Sequence, residues 1–314
     1  MLDLKSARVM VTGGSGFLGS HVCERLRAQG CREVLVPRSA EYDLRDRDRI
    51  DAAFGALKPD AVIHLAAVVG GIGANRKEPG RFLYENAIMG LELVEAARRH
   101  KVGKVLVAGT ICSYPKYTPV PFREDEIWAG YPEETNAPYG LAKKLVMVQG
   151  EAYRRQYGLN VISLLMVNLY GPRDNFDPDS SHVIPALIQK CIRAKETGAD
   201  SIEVWGDGTA TREFLFVEDA AEALVLGLER YDDADPMNVG TGREITIREL
   251  VTQVAAATGF TGDIRWDPTK PNGQPRRCLD VSRIRERLGW QSRTPFEAGL
   301  PRTVAWYRDS RASR

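Results

Sequence analysis

The sequence lacks several things whose absence narrows its function. No stretch approaches the roughly 18 consecutive apolar residues of a membrane-spanning helix, so no membrane partner is expected. Net charge is almost absent: 43 Lys and Arg stand against 42 Asp and Glu, a formal balance of +1, with no basic run of any length. Nucleic acid and anionic membrane surfaces are therefore not the expected partners, and a small ligand fits better. Cysteine is sparse and odd in number: Cys23, Cys31, Cys112, Cys191 and Cys278 are widely scattered, without a C-x-x-C pair or a histidine cluster nearby. Neither a disulfide framework nor a metal site is expected, and the thiols read as reduced ones of a cytosol. The first residues, "MLDLKSARVMVTGG", hold only a short apolar run and no small-residue cleavage site. They do not read as a secretory signal, so the expected location is cytoplasmic. Internal repeats and low-complexity segments are also missing.

What is present is an ordinary globular composition, 43% hydrophobic and 27% charged over 314 residues, enough for a full core and more than one domain. Through the first half, "ARVMVTG", "REVLVP", "AVIHLAA", "KVLVAG" and "NVISLLMV" read as strands buried on both faces. Between them lie helical patterns such as "RFLYENAIMGLELVEAARRH", with the apolar Phe82, Ala87, Met89, Leu93 and Ala96, of which Phe82, Met89, Leu93 and Ala96 are spaced by seven, four and three residues, as on one helix face. This alternation predicts an α/β fold, a doubly wound parallel sheet of Rossmann type followed by a smaller C-terminal α/β domain. The alternation fades after "NLYGPRDNFDPDSS". The expected division is a dinucleotide domain over residues 1–170, to which about 212–235 returns, and a discontinuous substrate domain over 171–314.

Between the first strand and the first helix, "VTGGSGFLGSHV" places Gly13, Gly16 and Gly19. Glycine there allows a tight turn, close approach of a pyrophosphate to the backbone, and close helix packing, with a helix N-terminus facing the negative charge. A glycine triplet alone is weak; its position in an N-terminal strand–turn–helix unit predicts dinucleotide binding. After the second strand, "VLVPRSAEYD" offers Arg38 where an acidic residue would read a ribose hydroxyl, and arginine suits a 2′-phosphate, so NADP(H) is the expected cofactor. A solvated turn residue is the alternative for Arg38. Asp43 and the run Leu65, Ala66, Ala67 are candidate adenine and ribose neighbours.

In "PYGLAKK", Tyr139 and Lys143 lie one helical turn apart on one face. A tyrosine moving a proton near neutrality needs its pKa of about 10 brought down, and an adjacent ammonium is expected to do so. "GTICSYPK" adds a hydroxyl, Thr110, and a thiol, Cys112, two residues apart at a strand end, where strand alternation would point both into one cleft. Packing is the alternative for the thiol.

With these elements the chain resembles the extended short-chain dehydrogenase/reductase family and, within it, the GDP-L-fucose synthase family of epimerase–reductases. The resemblance runs over nearly the whole chain and rests on "VVGGIGAN", "CSYPK", "EETNAPYGLAKK", "NLYGPRDNFDPDSSHVIPALI", "VWGDGTATREFLFVED", "NVGTG" and "TIREL". It implies a homodimer that epimerises C3 and C5 of a GDP-bound 4-keto-6-deoxymannose and reduces C4 with NADPH. Both epimerised carbons lie α to a ketone, so their protons can be removed if the enolate oxygen is stabilised. The resemblance assigns that oxygen to Tyr139 and Thr110, the base to Cys112 and the opposed acid to His182. It gives Phe17, Leu18, Lys143, Asn168 and His182 cofactor contacts beside the glycines. It points to Lys190, Trp205, Arg212 and Asn272 for the nucleotide-sugar, through charge pairing and stacking.

Core packing for Trp205 and an ion-pair role for Arg212 are the alternatives. Three positions depart from the family pattern: Thr110 where serine is usual, Lys190 where arginine is frequent, and Asn272 where aspartate is common. Two rival functions follow: a related GDP-4-keto-heptose or dideoxysugar epimerase–reductase, and a non-catalytic NADP-sensing regulator.

Overall fold

The computed structural model describes every residue except Asp179, Pro271, Asn272, Ser313 and Arg314. Its strands are β1 (Arg8–Thr12), β2 (Glu33–Leu35), β3 (Ala61–His64), β4 (Lys104–Thr110), β5 (Asn160–Met166), β6 (Asn168–Tyr170), β7 (Ser201–Trp205), β8 (Thr211–Phe216), β9 (Met237–Val239), β10 (Glu244–Thr246) and β11 (Asp263–Asp267). The helices are α1 (Phe17–Ala28), α2 (Arg47–Leu57), α3 (Ile72–Lys77), α4 (Pro79–Arg99), α5 (Ala137–Tyr157), α6 (Val183–Thr197), α7 (Val217–Arg230), α8 (Ile247–Thr258), α9 (Ser282–Leu288) and α10 (Phe296–Ala312). No described helix is long and apolar enough to cross a membrane.

Six strands form a parallel sheet in the order β2-β1-β3-β4-β5-β9. The apolar runs dictate this arrangement. In β1 the side chains of Val9 and Val11 enter the core shared with α1 and α7, while Met10 between them enters the core under α2, α4 and α5. A strand with apolar side chains on both faces needs helices on both faces, which is why it lies inside a doubly wound sheet. Each fully buried Leu, Ile or Phe in these layers contributes about 1.5–3 kcal/mol relative to exposure. From β1 the chain runs outward to β2 and then crosses back to β3 on the other side, so a crevice opens beyond the carboxyl ends of β1 and β3.

The remaining strands form two smaller sheets, β10-β8-β6 and β11-β7, packed with α6, α8 and α10 around Tyr170, Leu187, Ile188, Phe214, Phe216, Leu250 and Tyr307. In the segment 212–235, the strand β8 pairs with β6 and β10, whereas the helix α7 packs on α1, β4 and β5 of the large sheet. Glu213 binds the parts together: its buried carboxylate accepts from the backbone N–H of Leu279 at 2.7 Å, of Gly242 at 2.8 Å and of Thr241. Local capping is conventional where it is strongest: Thr246 and Glu249 exchange hydrogen bonds in a capping box that starts α8.

Candidate active site

The glycine turn sits at the crevice. Gly13 has φ +70°, and a β-carbon there would lie 2.9 Å from the backbone N of Ala66. One on Gly19 would lie 2.0 Å from the Gly13 carbonyl oxygen. The β1–α1 turn is therefore pressed against the chain leaving β3, with Leu65, Ala66 and Ala67 half-buried beside it. Thr12 stitches this corner: its hydroxyl pairs with His64 Nδ1 at 2.9 Å and accepts from Ala66 N at 3.3 Å. Gly16 occupies the N-cap of α1, and no side chain caps that end. The N–H groups of the first turn, where Phe17 and Leu18 lie, are left for an anion, which suits a dinucleotide pyrophosphate.

Arg38 is exposed in the loop after β2 and forms no salt bridge among the described residues. Asp43 is engaged locally: its hydrogen bonds from Arg45, which also approaches to 2.7 Å as an ion pair, hold the carboxyl down to about 2.

At the end of β4, Thr110 does not continue the strand. It caps a 3-10 turn, Ile111–Ser113, its hydroxyl oxygen accepting from Cys112 N at 3.2 Å. The expected strand alternation is thus replaced by a turn. Because that oxygen serves as an acceptor, the hydroxyl proton remains to be donated to another oxygen. The turn docks on the first turn of α5, where Ser113 donates to the Gly140 carbonyl at 3.0 Å.

Tyr139 and Lys143 project from α5, with Lys143 Nζ 5.9 Å from the Tyr139 ring centroid. The expected lowering of the phenol does not occur: burial, reinforced by the charge of Cys112, pushes Tyr139 well above its ordinary value. Loss of water around the ring disfavours phenolate, and the ammonium does not offset it. Lys143 is itself buried, at 3% exposure, and burial lowers it to about 8. His64 nearby is held neutral, drawn to about 3 by burial and then by the charge of Lys143.

Arg212 on β8 donates to the backbone oxygens of Thr211 at 2.7 Å and Gln274 at 2.6 Å. Burial, then repulsion from Arg277, lowers its guanidinium to about 10. Arg277 reaches Cys112, donating from Nη1 to Sγ at 3.5 Å. Cys112 thus lies within electrostatic reach of Tyr139, Arg212 and Arg277. Neither Arg277 nor its partner Glu133 was singled out from the sequence. The segment "KPNGQPRR" also carries the candidate Asn272, which lies outside the described residues.

His182 forms the N-cap of α6 without capping through its side chain. Its surface is open to solvent, yet surrounding protein displaces enough water to draw the imidazole below its ordinary value. It makes no hydrogen bond to the Cys112 cluster. Asn168 donates from Nδ2 to the Glu213 carbonyl at 3.0 Å. Lys190 is exposed and donates to the Glu203 carbonyl at 3.0 Å, and Trp205, 49% exposed at the end of β7, carries Lys270 Nζ 5.8 Å from its ring centroid. Trp205 is therefore not a core residue. No group of three or more His, Cys, Asp or Glu among the described residues could hold a metal ion.

Residues 9–240 match the NAD dependent epimerase/dehydratase family. The GDP-L-fucose synthase 1 of Arabidopsis thaliana is 41% identical over 303 residues, covering 96% of this chain and 94% of that one. The solved GDP-L-fucose synthetase of Naegleria fowleri bound to NADP superposes with a TM-score of 0.90 at 27% identity, over 100% of this chain and 97% of that one. A GDP-6-OMe-4-keto-L-xylo-heptose reductase from C. jejuni gives a TM-score of 0.92 at 25% identity, over 98% and 99%. The glycine turn and the Thr110–Tyr139–Lys143 corner lie inside the matched segment, and on that match the chain belongs to the NAD dependent epimerase/dehydratase family.

Proposed function

We propose that the chain converts GDP-4-keto-6-deoxy-D-mannose to GDP-L-fucose, epimerising C3 and C5 and then reducing C4. The observation that carries the reading is the meeting of a thiol and a phenol at one site: the turn that bears Cys112 docks on α5 beside Tyr139, Ser113 donating to the Gly140 carbonyl at 3.0 Å and the Cys112 carbonyl lying where a β-carbon on Gly140 would stand 2.3 Å away. Epimerisation needs a group that removes a proton and reduction needs one that donates a proton, and both reactions act around a single 4-oxygen. The extent of the likeness to GDP-L-fucose synthases supports the substrate class.

Thr110 and the protonated Tyr139 donate to the 4-oxygen and stabilise the enolate. Cys112 removes the proton from C3 or C5, and His182 returns one on the opposite face. Because burial keeps Tyr139 protonated, it is in the form that can later protonate the alkoxide. Gly13, Gly16, Gly19, Phe17, Leu18, Leu65 to Ala67, Asn168 and Lys143 would hold NADP(H), with Arg38 on the 2′-phosphate and Asp43 near the adenosine. When bound, NADPH supplies the hydride for C4. Lys190, Trp205 and Arg212 would hold the GDP-sugar. Residues 1–170 with 212–235 serve the cofactor, and 171–314 mainly the sugar nucleotide. The exposed Leu83 and Tyr84 on α4 and Leu145 and Val148 on α5 suit a homodimer interface in the cytoplasm.

The test presents purified protein with GDP-4-keto-6-deoxy-D-mannose and NADPH, identifying the product by NMR. Formation of GDP-L-fucose is expected, and absence of turnover overturns the reading. The likeness to the heptose reductase favours one second reading, a GDP-4-keto-heptose epimerase–reductase, which would turn over only the heptose.

A further inference from the structure

We infer that Arg277 is a positioning residue for Cys112, its guanidinium holding the sulfur in place and favouring the anionic form that takes a proton from the sugar. The inference rests on the reading of Cys112 as the C3/C5 base. The contact joins residues 165 positions apart, Nη1 donating to Sγ at 3.5 Å.

Arg277 is only 6% exposed, and its Nε edge is hydrogen-bonded while Nη2 lies toward a carboxylate. Nε donates to Gln274 Oε1 at 2.8 Å, and Nη2 stands 3.9 Å from Glu133 Oε2. Both partners are themselves tied down. Gln274 Nε2 donates to the Lys116 carbonyl at 2.7 Å, and the Glu133 carboxylate accepts from Thr135 Oγ1 at 2.6 Å and Asn136 Nδ2 at 2.7 Å. A planar guanidinium held by a hydrogen bond at Nε, with a carboxylate beside Nη2, has its orientation set, and in that orientation Nη1 is directed at the sulfur.

The charges point the same way. A buried cation requires compensation. Glu133 is distant for an ion pair and is shared with two neutral donors, while Arg212 adds a second guanidinium near enough to be repelled by Arg277. An anion at Sγ is the arrangement that relieves both cations; Tyr139, on the helix against which the Cys112 turn docks, is kept neutral by burial. The step needs no co-reactant: the C–H bond at C3 or C5 breaks, an S–H bond forms, and the carbon's electron pair passes into the enolate with its charge on the 4-oxygen. A guanidinium beside the sulfur lowers the cost of having the anion ready and leaves it in one orientation.

The experiment uses the full-length enzyme and the variants Arg277→Met and Arg277→Lys. Alkylation of Cys112 by iodoacetamide near neutral pH is timed without sugar and followed by peptide mass spectrometry, which separates it from the other four free cysteines. Loss of a hydrogen bond from a charged group should slow alkylation in Arg277→Met by about 10- to 100-fold, with Lys restoring most of the rate. Solvent deuterium exchange at C3 and C5 should follow the same order. Arg277→Gln, which keeps a donor without the charge, replaces the Met variant if that one does not fold, with the same expected loss. Unchanged alkylation in a folded variant that still binds NADPH overturns the inference, as does a Lys variant no faster than Met. Cys112→Ser separates the two claims. If it retains exchange, the base reading fails, while alkylation still decides whether Arg277 governs the sulfur.

Discussion

Gly140 lies against the backbone of Cys112 so closely that a β-carbon on Gly140 would stand 2.3 Å from the Cys112 carbonyl oxygen. Helix α5 and the 3-10 turn are thus docked backbone to backbone, which sets the spacing of the neighbouring Tyr139 and Cys112. Gly140→Ala forces the turn away. It should cost about 1–3 kcal/mol of stability by overpacking and lower both epimerisation and hydride transfer. Thermal unfolding and the two assays check this; a variant as stable and active as the parent would refute the docking argument.

Cys112→Ser and Tyr139→Phe should divide the two reactions. The serine variant is expected to lose nearly all solvent deuterium exchange at C3 and C5 while C4 reduction of the unepimerised ketone persists. The phenylalanine variant should lose about 10²- to 10⁴-fold in hydride transfer, the span of a positioned proton donor. NMR of the exchanged sugar and NADPH absorbance read the two outcomes separately.

Lys143 supplies a pH signature of its own. Burial lowers it to about 8 from an ordinary 10.5, so its ammonium is intact below that value and lost above it. The kcat/KM for C4 reduction should therefore decline as pH rises through about 8, and the same decline should appear in Cys112→Ser. Stability moves oppositely: between about 8 and 10.5 the unfolded chain binds more protons than the folded one, so the penalty of burying Lys143 shrinks with rising pH. Lys143→Met should stop reduction yet raise stability at neutral pH by up to about 3 kcal/mol, the worth of a shift of this size. Denaturant titrations at pH 7 and 10 measure the difference.

Glu213→Ala removes the acceptor of three backbone N–H groups, that of Leu279 buried and those of Thr241 and Gly242 partly so. Each costs about 1–3 kcal/mol when left unmet, so a cooperative loss of several kcal/mol is expected. Glu213→Gln, which keeps an acceptor oxygen, should lose less. Urea unfolding of the two variants tests the ranking.

The sequence made some of this visible for simple reasons. Strands β1, β3, β4 and β5 could be read because their residues are buried on both faces, and Tyr139 with Lys143 because four residues make one helical turn; β2, expected to be buried likewise, is an edge strand with Glu33 exposed. β6 and β10 have three residues each, half-buried apart from Tyr170, and so are too short for a period to be detected. The turn after Thr110 was hidden because "ICS" looks like more strand, whereas the Thr110 side chain ends the strand by capping. The lowering of Tyr139 expected from Lys143 failed because charge proximity is local in sequence and desolvation is not. Arg277 could not be paired with Cys112 from spacing, since the two meet only when the segment after β11 folds back beside β8 and Phe122, Thr211 N donating to Pro275 O and Phe122 N to Cys278 O.

The last strand of the parallel sheet, β9, arrives after β6 to β8, α6 and α7 have been laid down. On the ribosome, a nascent chain that has not yet exposed Met237 carries an unpaired edge along β5, a surface open to wrong strand partners. Completion of the six-stranded sheet is thus deferred until β6, β7, β8 and α6 have been synthesised, with β10, α8, β11 and α10 still to come. A truncation placed between the lobes would release an open-edged sheet rather than an independent module.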